Sequence, residues 1–156
     1  MKIINSNEKV SNNFTMLEFY RASSPVHEFD FPKCLIESAQ ILRDWFEKEI
    51  IITSTSKPSD TFGFHRVNKA IDFISIKDKN KLLSNFKTEC ENYATGKGSV
   101  LIDKLRSIGV TGFGIENVCI HLDCRDNSTN KTDKYGSYMI FIFEMKDGKI
   151  LINKSL

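Results

Sequence analysis

The sequence predicts an α+β fold: a small antiparallel sheet packed against about three helices. Three observations lead there. Apolar residues recur at spacings of three and four in three separate stretches, all before residue 110. Short apolar or alternating runs crowd the last third of the chain. Asp147-Gly148, a strong hairpin-turn signal, separates the last two of those runs. Helices followed by hairpin-linked strands point to α+β rather than to an alternating parallel fold.

The elements follow in order. Thr15 can cap a short helical turn that runs through Glu18. Pro32 suits a first helical position, and Leu35, Ala39, Leu42 and Phe46 then mark one apolar face of a helix ending near Lys48. Trp45 sits beside Phe46 and is expected in the core. Ile50 to Thr53 reads as a short buried strand, and residues 54–64 as a loop rich in Ser, Thr and Asp. Ala70 to Ile76 is the next strand. Leu82, Phe86, Cys90 and Tyr93 predict a second helix, which Gly96-Lys97-Gly98-Ser99 breaks; that run lacks the leading glycine of a phosphate loop. Lys77, Lys79, Lys81 and Lys87 form a solvated face. Leu101, Leu105 and Ile108 give a third, short helix, ended by Gly109. Strands are expected around Thr111 to Ile115, Val118 to Asp123, Ser137 to Met145 and Ile150 to Ile152, with a polar loop at 126–136.

The chain has 156 residues, a length that fits one domain able to bury roughly two-thirds of its unfolded surface. Residues 1–12 read as a flexible lead-in and 13–156 as a single domain. Lys+Arg 22 against Asp+Glu 20 leaves a net charge of only +2. This balance argues against an electrostatic nucleic-acid binder and against an acidic tail. No apolar run approaches the ~18 residues of a membrane helix. The N-terminus has no apolar signal core, so the expectation is a cytoplasmic protein, or one delivered by another route. Cys34, Cys90, Cys119 and Cys124 contain no Cys-x-x-Cys pair and read as free thiols.

Three histidines carry the chemical question. His27 lies in a polar stretch and is expected to be an exposed loop residue. His65 precedes Asp72 by seven positions, and His121 precedes Asp123 by two. On a strand, positions i and i+2 share a face. His121, Asp123 and Arg125 would therefore line a polar face, with Val118, Ile120 and Leu122 turned into the core. Two histidines and one carboxylate meet the ligand count of a catalytic zinc site, which keeps a fourth position for water. A single ligand carboxylate leaves such a site net positive, which favours ionisation of that water.

The segment His65-Arg66-Val67-Asn68-Lys69-Ala70-Ile71-Asp72 resembles the His-x-x-Gly-x-Ala-x-Asp motif of the D-Ala-D-Ala carboxypeptidase and L-Ala-D-Glu endopeptidase family of zinc peptidases. Gly112-Phe113-Gly114 and the later His121-Leu122-Asp123-Cys124-Arg125 resemble its Gly-x-Gly strand and His-x-Asp-x-Arg motif. Phe14-Thr15-Met16-Leu17-Glu18-Phe19 is similar to the Phe-Thr-x-x-Glu-Phe opening of one branch. Ile52-Thr53-Ser54 matches the strand that leads into the branch's substrate loop. The four elements occur in order over about residues 13 to 145. The resemblance implies a Hedgehog-like fold and zinc held by His65, Asp72 and His121. It also implies a peptidoglycan stem-peptide substrate whose amide is hydrolysed. Asp123 would be a catalytic or ligand-orienting carboxylate, and Lys57 and Arg125 would hold a substrate carboxylate. A cell-wall enzyme without a signal peptide fits a bacteriophage lysis or virion enzyme, in contact with other virion proteins.

Four positions depart from the pattern. Asn68 replaces the motif's glycine, Gly63 a serine, and Lys57 an arginine, losing the bidentate grip on a carboxylate. Several relatives carry the general base three residues before the last ligand, where this chain has Val118. Asp123 or Glu116 would have to serve instead, and strand alternation favours Asp123. These changes keep open an alternative: a peptidase-like structural or binding module without catalysis.

Overall fold

Glu18 folds the start of the first helix back on itself. Its carboxylate accepts the Thr15 N–H at 2.7 Å and the Thr15 hydroxyl at 3.2 Å, just ahead of α1 (Met16–Arg21). The structure, a computed structural model, describes residues 8–60, 64–115 and 118–124, and the backbone of two further strands at 140–144 and 150–153. The second helix, α2 (Lys33–Phe46), starts one residue later than expected. Pro32 keeps ψ at 133° and so stands before the helix rather than in it. The helix also stops short of Lys48, because Glu47 takes a left-handed φ of 61°. Its buried face is the expected one, with Leu35, Ala39, Leu42 and Phe46. Trp45 is half-buried against that core, its ring 6.2 Å from Phe86.

Two more helices follow among the described residues. α3 (Lys79–Ala94) buries Leu82, Phe86 and Cys90 and leaves Lys79, Lys81 and Lys87 in solvent, with Lys77 exposed just before it. α4 (Val100–Ser107) is capped by Ser99, whose hydroxyl accepts the Ile102 N–H at 3.1 Å. Gly109 follows it at φ 111°, a conformation that glycine adopts without a Cβ penalty.

Six strands form one antiparallel sheet: β1 (Ile51–Ser54), β2 (Ala70–Ile74), β3 (Gly112–Ile115), β4 (Ile120–Asp123), β5 (Ile140–Glu144) and β6 (Ile150–Asn153). Their spatial order is β1-β2-β4-β3-β5-β6. β2 ends at Ile74 rather than Ile76, since the Ser75 hydroxyl turns to accept the Asp78 N–H and Ile76 is exposed. Ile52, Ile71, Phe73, Phe113, Ile115, Ile120 and Leu122 join the buried helix residues in a single core. Val118 does not join them. It is 47% exposed, because β4 begins only at Ile120 and the alternation does not reach back to it. The 126–136 loop and the Asp147-Gly148 turn lie outside the described residues. No cysteine among the four is in a disulfide: Cys90 and Cys119 are buried, Cys34 and Cys124 half-buried. Among the described residues, no helix is long and apolar enough to cross a membrane.

Candidate metal centre

Across β2, β3 and β4 the core claims one face of the sheet, and Asp72, His121 and Asp123 gather on the other. Cross-strand register sets Asp72 of β2 opposite His121 of β4, and Ala70 opposite Asp123. On the other side of β4, Gly114 faces His121 and Gly112 faces Asp123. The glycines account for the room at this point. A Cβ at Gly112 would sit under 3.0 Å from all three atoms of the Asp123 carboxyl group. The Gly-x-Gly spacing thus strips β3 of side chains where the buried acid needs space, while Phe113 and Ile115 keep the opposite face in the core.

His65 arrives from outside the sheet, on a 3₁₀ turn (His65–Val67) ahead of β2. Its Nδ1 donates to the Thr55 carbonyl at 2.6 Å, and the Lys57 N–H donates to the His65 carbonyl at 2.9 Å. Thr55 is itself anchored, its hydroxyl on the Phe19 carbonyl at 2.8 Å and its N–H on that of Ala22 at 3.1 Å. Asn68 ends the turn at φ 60°, a left-handed conformation that asparagine tolerates better than most residues. Its Oδ1 accepts the Ser56 hydroxyl at 2.5 Å, so Asn68 both adopts the left-handed shape and tethers the turn to the preceding loop. His27, expected in solvent, is half-buried against the Phe29 ring. One of its ring nitrogens contacts the Pro25 carbonyl at 2.6 Å, and the other approaches Ser56 at 3.4 Å.

Three donor groups converge. His65 Nε2 lies 3.2 Å from Asp72 Oδ2, and His121 Nδ1 lies 2.9 Å from Asp72 Oδ1. Ligand atoms of all three residues fall within 4.8 Å of one another. The side chains are 12%, 9% and 1% exposed for His65, Asp72 and His121, so all three are largely withdrawn from water. Asp123 is completely buried and accepts from the other nitrogen of His121, Nε2, at 2.9 Å. It therefore lies behind the imidazole, across the ring from Asp72.

The charges fit a cation. Burial alone would drive His121 toward its neutral form, but hydrogen bonds and charge from Asp123 and Asp72 reverse this and raise its pKa to about 9. Burial likewise opposes the charge on Asp72, yet the hydrogen bonds from His121 and His65 hold it well below the usual carboxylate range. A buried carboxylate clasped by two imidazoles is stable when the pair carries compensating positive charge. A metal ion supplies that charge directly, with two neutral imidazole nitrogens and one carboxylate oxygen as ligands. His65, Asp72 and His121 can hold a metal ion.

Of the residues the sequence singled out, His65, Asp72, His121 and Asp123 come together, and Lys57 adjoins them through its backbone bond to His65. Arg125, Gly63 and Glu116 lie outside the described residues. Sequence reasoning passed over Thr55, Ser56 and the packing role of Gly112. Thr55 acts through a backbone carbonyl, which leaves no residue-type signal. No protein-family model matches the chain, and neither the curated proteins nor the solved structures contain a match to it.

Proposed function

We propose that the chain is a zinc-dependent peptidase that hydrolyses an amide bond in peptidoglycan stem peptides. The observation that carries this reading is the convergence of two imidazole nitrogens and one carboxylate within 4.8 Å. Three protein ligands of this kind are the donor set of a catalytic zinc, which leaves a position for water or substrate. The order of the sequence motifs supports the substrate class. When bound, zinc supplies Lewis acidity toward the scissile carbonyl and toward water.

The chain's own residues do the rest. Thr55 holds the proton on His65 Nδ1 and so turns the Nε2 lone pair inward. Asp123 does the same for His121 by accepting from Nε2, which leaves Nδ1 to face Asp72. A carboxylate behind a ligand imidazole orients the ring and raises its basicity. Buried behind His121, Asp123 is better placed as this positioning residue than as a base at the substrate. Lys57, beside the His65 turn, and Arg125 are the proposed partners of a substrate carboxylate.

One observation favours a second reading, a metal-binding module without hydrolysis. At the position where a general base would be expected, Val118 offers no proton acceptor, and Asp123 is buried behind His121. Digestion of purified stem peptides by the zinc-loaded protein, read by mass spectrometry, separates the two. The peptidase reading expects new amine and carboxylate termini, lost on chelation and in His65→Ala/His121→Ala. Asp123→Asn should keep zinc with affinity reduced about 10–100-fold and slow cleavage. Stoichiometric zinc with no cleavage of any stem peptide would leave the second reading standing.

A further inference from the structure

Ser54 ends β1 with a hydroxyl that is buried and makes no hydrogen bond. Such an orphan is destabilising, because burial strips the hydroxyl of water without giving it a partner. The pairing of β1 with β2 tells which way it faces. Ile51 lies opposite Ile74 and Ile52 opposite Phe73, but the next pair is Ser54 with Asp72. Thr53 is one residue too many, a bulge. In a regular ladder Thr53 would meet Asp72 and Ser54 would fall on the core face. The bulge re-aims Ser54 instead, a common use of bulges beside functional sites. Ser54, Asp72 and His121 consequently stand in one cross-strand row on the site face.

Asp72 has a changing need for donors. As the chain stands, Oδ1 receives His121 Nδ1 at 2.9 Å, and Oδ2 is 3.2 Å from His65 Nε2. Those two nitrogens are the ones that would ligate a cation. A nitrogen bound to a metal no longer donates to a carboxylate. Asp72 would then ligate through one oxygen and lose the hydrogen bond to the other. We infer that Ser54 is a positioning residue for the ligand Asp72, its hydroxyl donating to the carboxylate oxygen that does not face the metal. This inference rests on the metal-centre reading above. It gives the orphan hydroxyl a partner and the Thr53 bulge a purpose, and it follows the rule that ligand carboxylates are themselves hydrogen-bonded.

The test uses zinc titration calorimetry on the full chain, with the thermal midpoint of each metal-free protein measured in parallel. Ser54→Ala should weaken zinc binding tenfold or more, the usual effect of losing such a partner. Its metal-free midpoint should stay level or rise, because an unpaired buried hydroxyl has been removed. A merely structural serine would not move affinity and metal-free stability apart in this way. Ser11→Ala, which deletes the other buried unpaired hydroxyl among the described residues, should leave zinc affinity unchanged. Zinc affinity of Ser54→Ala within twofold of wild type would overturn the proposal, as would a loss of affinity accompanied by a lowered metal-free midpoint. Failure of the metal-centre reading is distinguishable, since the wild-type protein would then bind no zinc.

Discussion

His121 is the residue on which the charge balance of the site turns. It sits between Asp72 and Asp123, whose hydrogen bonds and charge outweigh burial and raise its pKa from 6.5 to about 9. Its stabilising contribution is therefore complete below about pH 6.5 and is lost as pH rises through about 9. Asp72 moves the other way: its contribution is present above 3.8 and is lost as pH falls below that. A ligand imidazole must give up the proton on its metal-facing nitrogen, so binding has a proton signature. At pH 7.5, zinc binding should release about one proton from His121, read from calorimetry in two buffers of different ionisation enthalpy. Identical heats in both buffers would contradict this charge assignment. The neighbouring glycine gives a packing prediction. Gly112→Ala drives a methyl group into the Asp123 carboxyl group and should destabilise the fold by about 1–3 kcal/mol in denaturant melts. At this scale the sequence was partly legible. The pairing of His65 with Asp72, and of His121 with Asp123, could be read from spacing and motif. Which face of the imidazole Asp123 occupies could not, because it depends on the β2–β4 register. Ser54 was hidden for a similar reason: one bulge residue reverses the alternation that a sequence pattern assumes.

Element interiors were easier to read than element ends. The apolar spacing of α2, α3 and α4 gives their buried faces directly, and each burial of a large side chain favours the same helix. Ends depend on single local conformations. Glu47 stops α2 by taking a left-handed φ, the Ser75 hydroxyl stops β2, and Val118 lies outside β4 despite having the right parity. None of these carries a residue type that demands the outcome. Glu47 makes a testable case, since a non-glycine residue at φ 61° carries strain that glycine would not. Glu47→Gly should leave α2 intact and raise stability by up to about 1 kcal/mol, measured by urea unfolding. A loss of stability would mean that the Glu47 side chain does more than end the helix. The loop between β1 and β2 is the least readable element and the one the site needs most. Thr55, Ser56, Lys57 and Asn68 hold the His65 turn through backbone and hydroxyl bonds that leave only a generic polar composition in the sequence.

The whole molecule divides its sheet by function. Across β2, β3 and β4 one face joins α2, α3 and α4 in the core, and the other presents a buried acid and an imidazole that meet His65 from the turn ahead of β2. The α+β class was legible because helical periods precede hairpin-linked strands. The strand order, with β4 between β2 and β3, was not, and it is that order that sets Asp72 beside His121. Such a site ties folding to metal, since a ligand that binds only the native state at 100 times its dissociation constant adds about 2.7 kcal/mol. His65, Asp72 and His121 are proposed to hold one zinc ion. Elemental analysis of protein purified without added metal, then of protein reloaded with zinc and desalted, tests it most directly, with His65→Ala/His121→Ala alongside. The wild type should carry close to one zinc per chain and the double variant none. No zinc in the wild type after reloading, or equal zinc in both proteins, would contradict it.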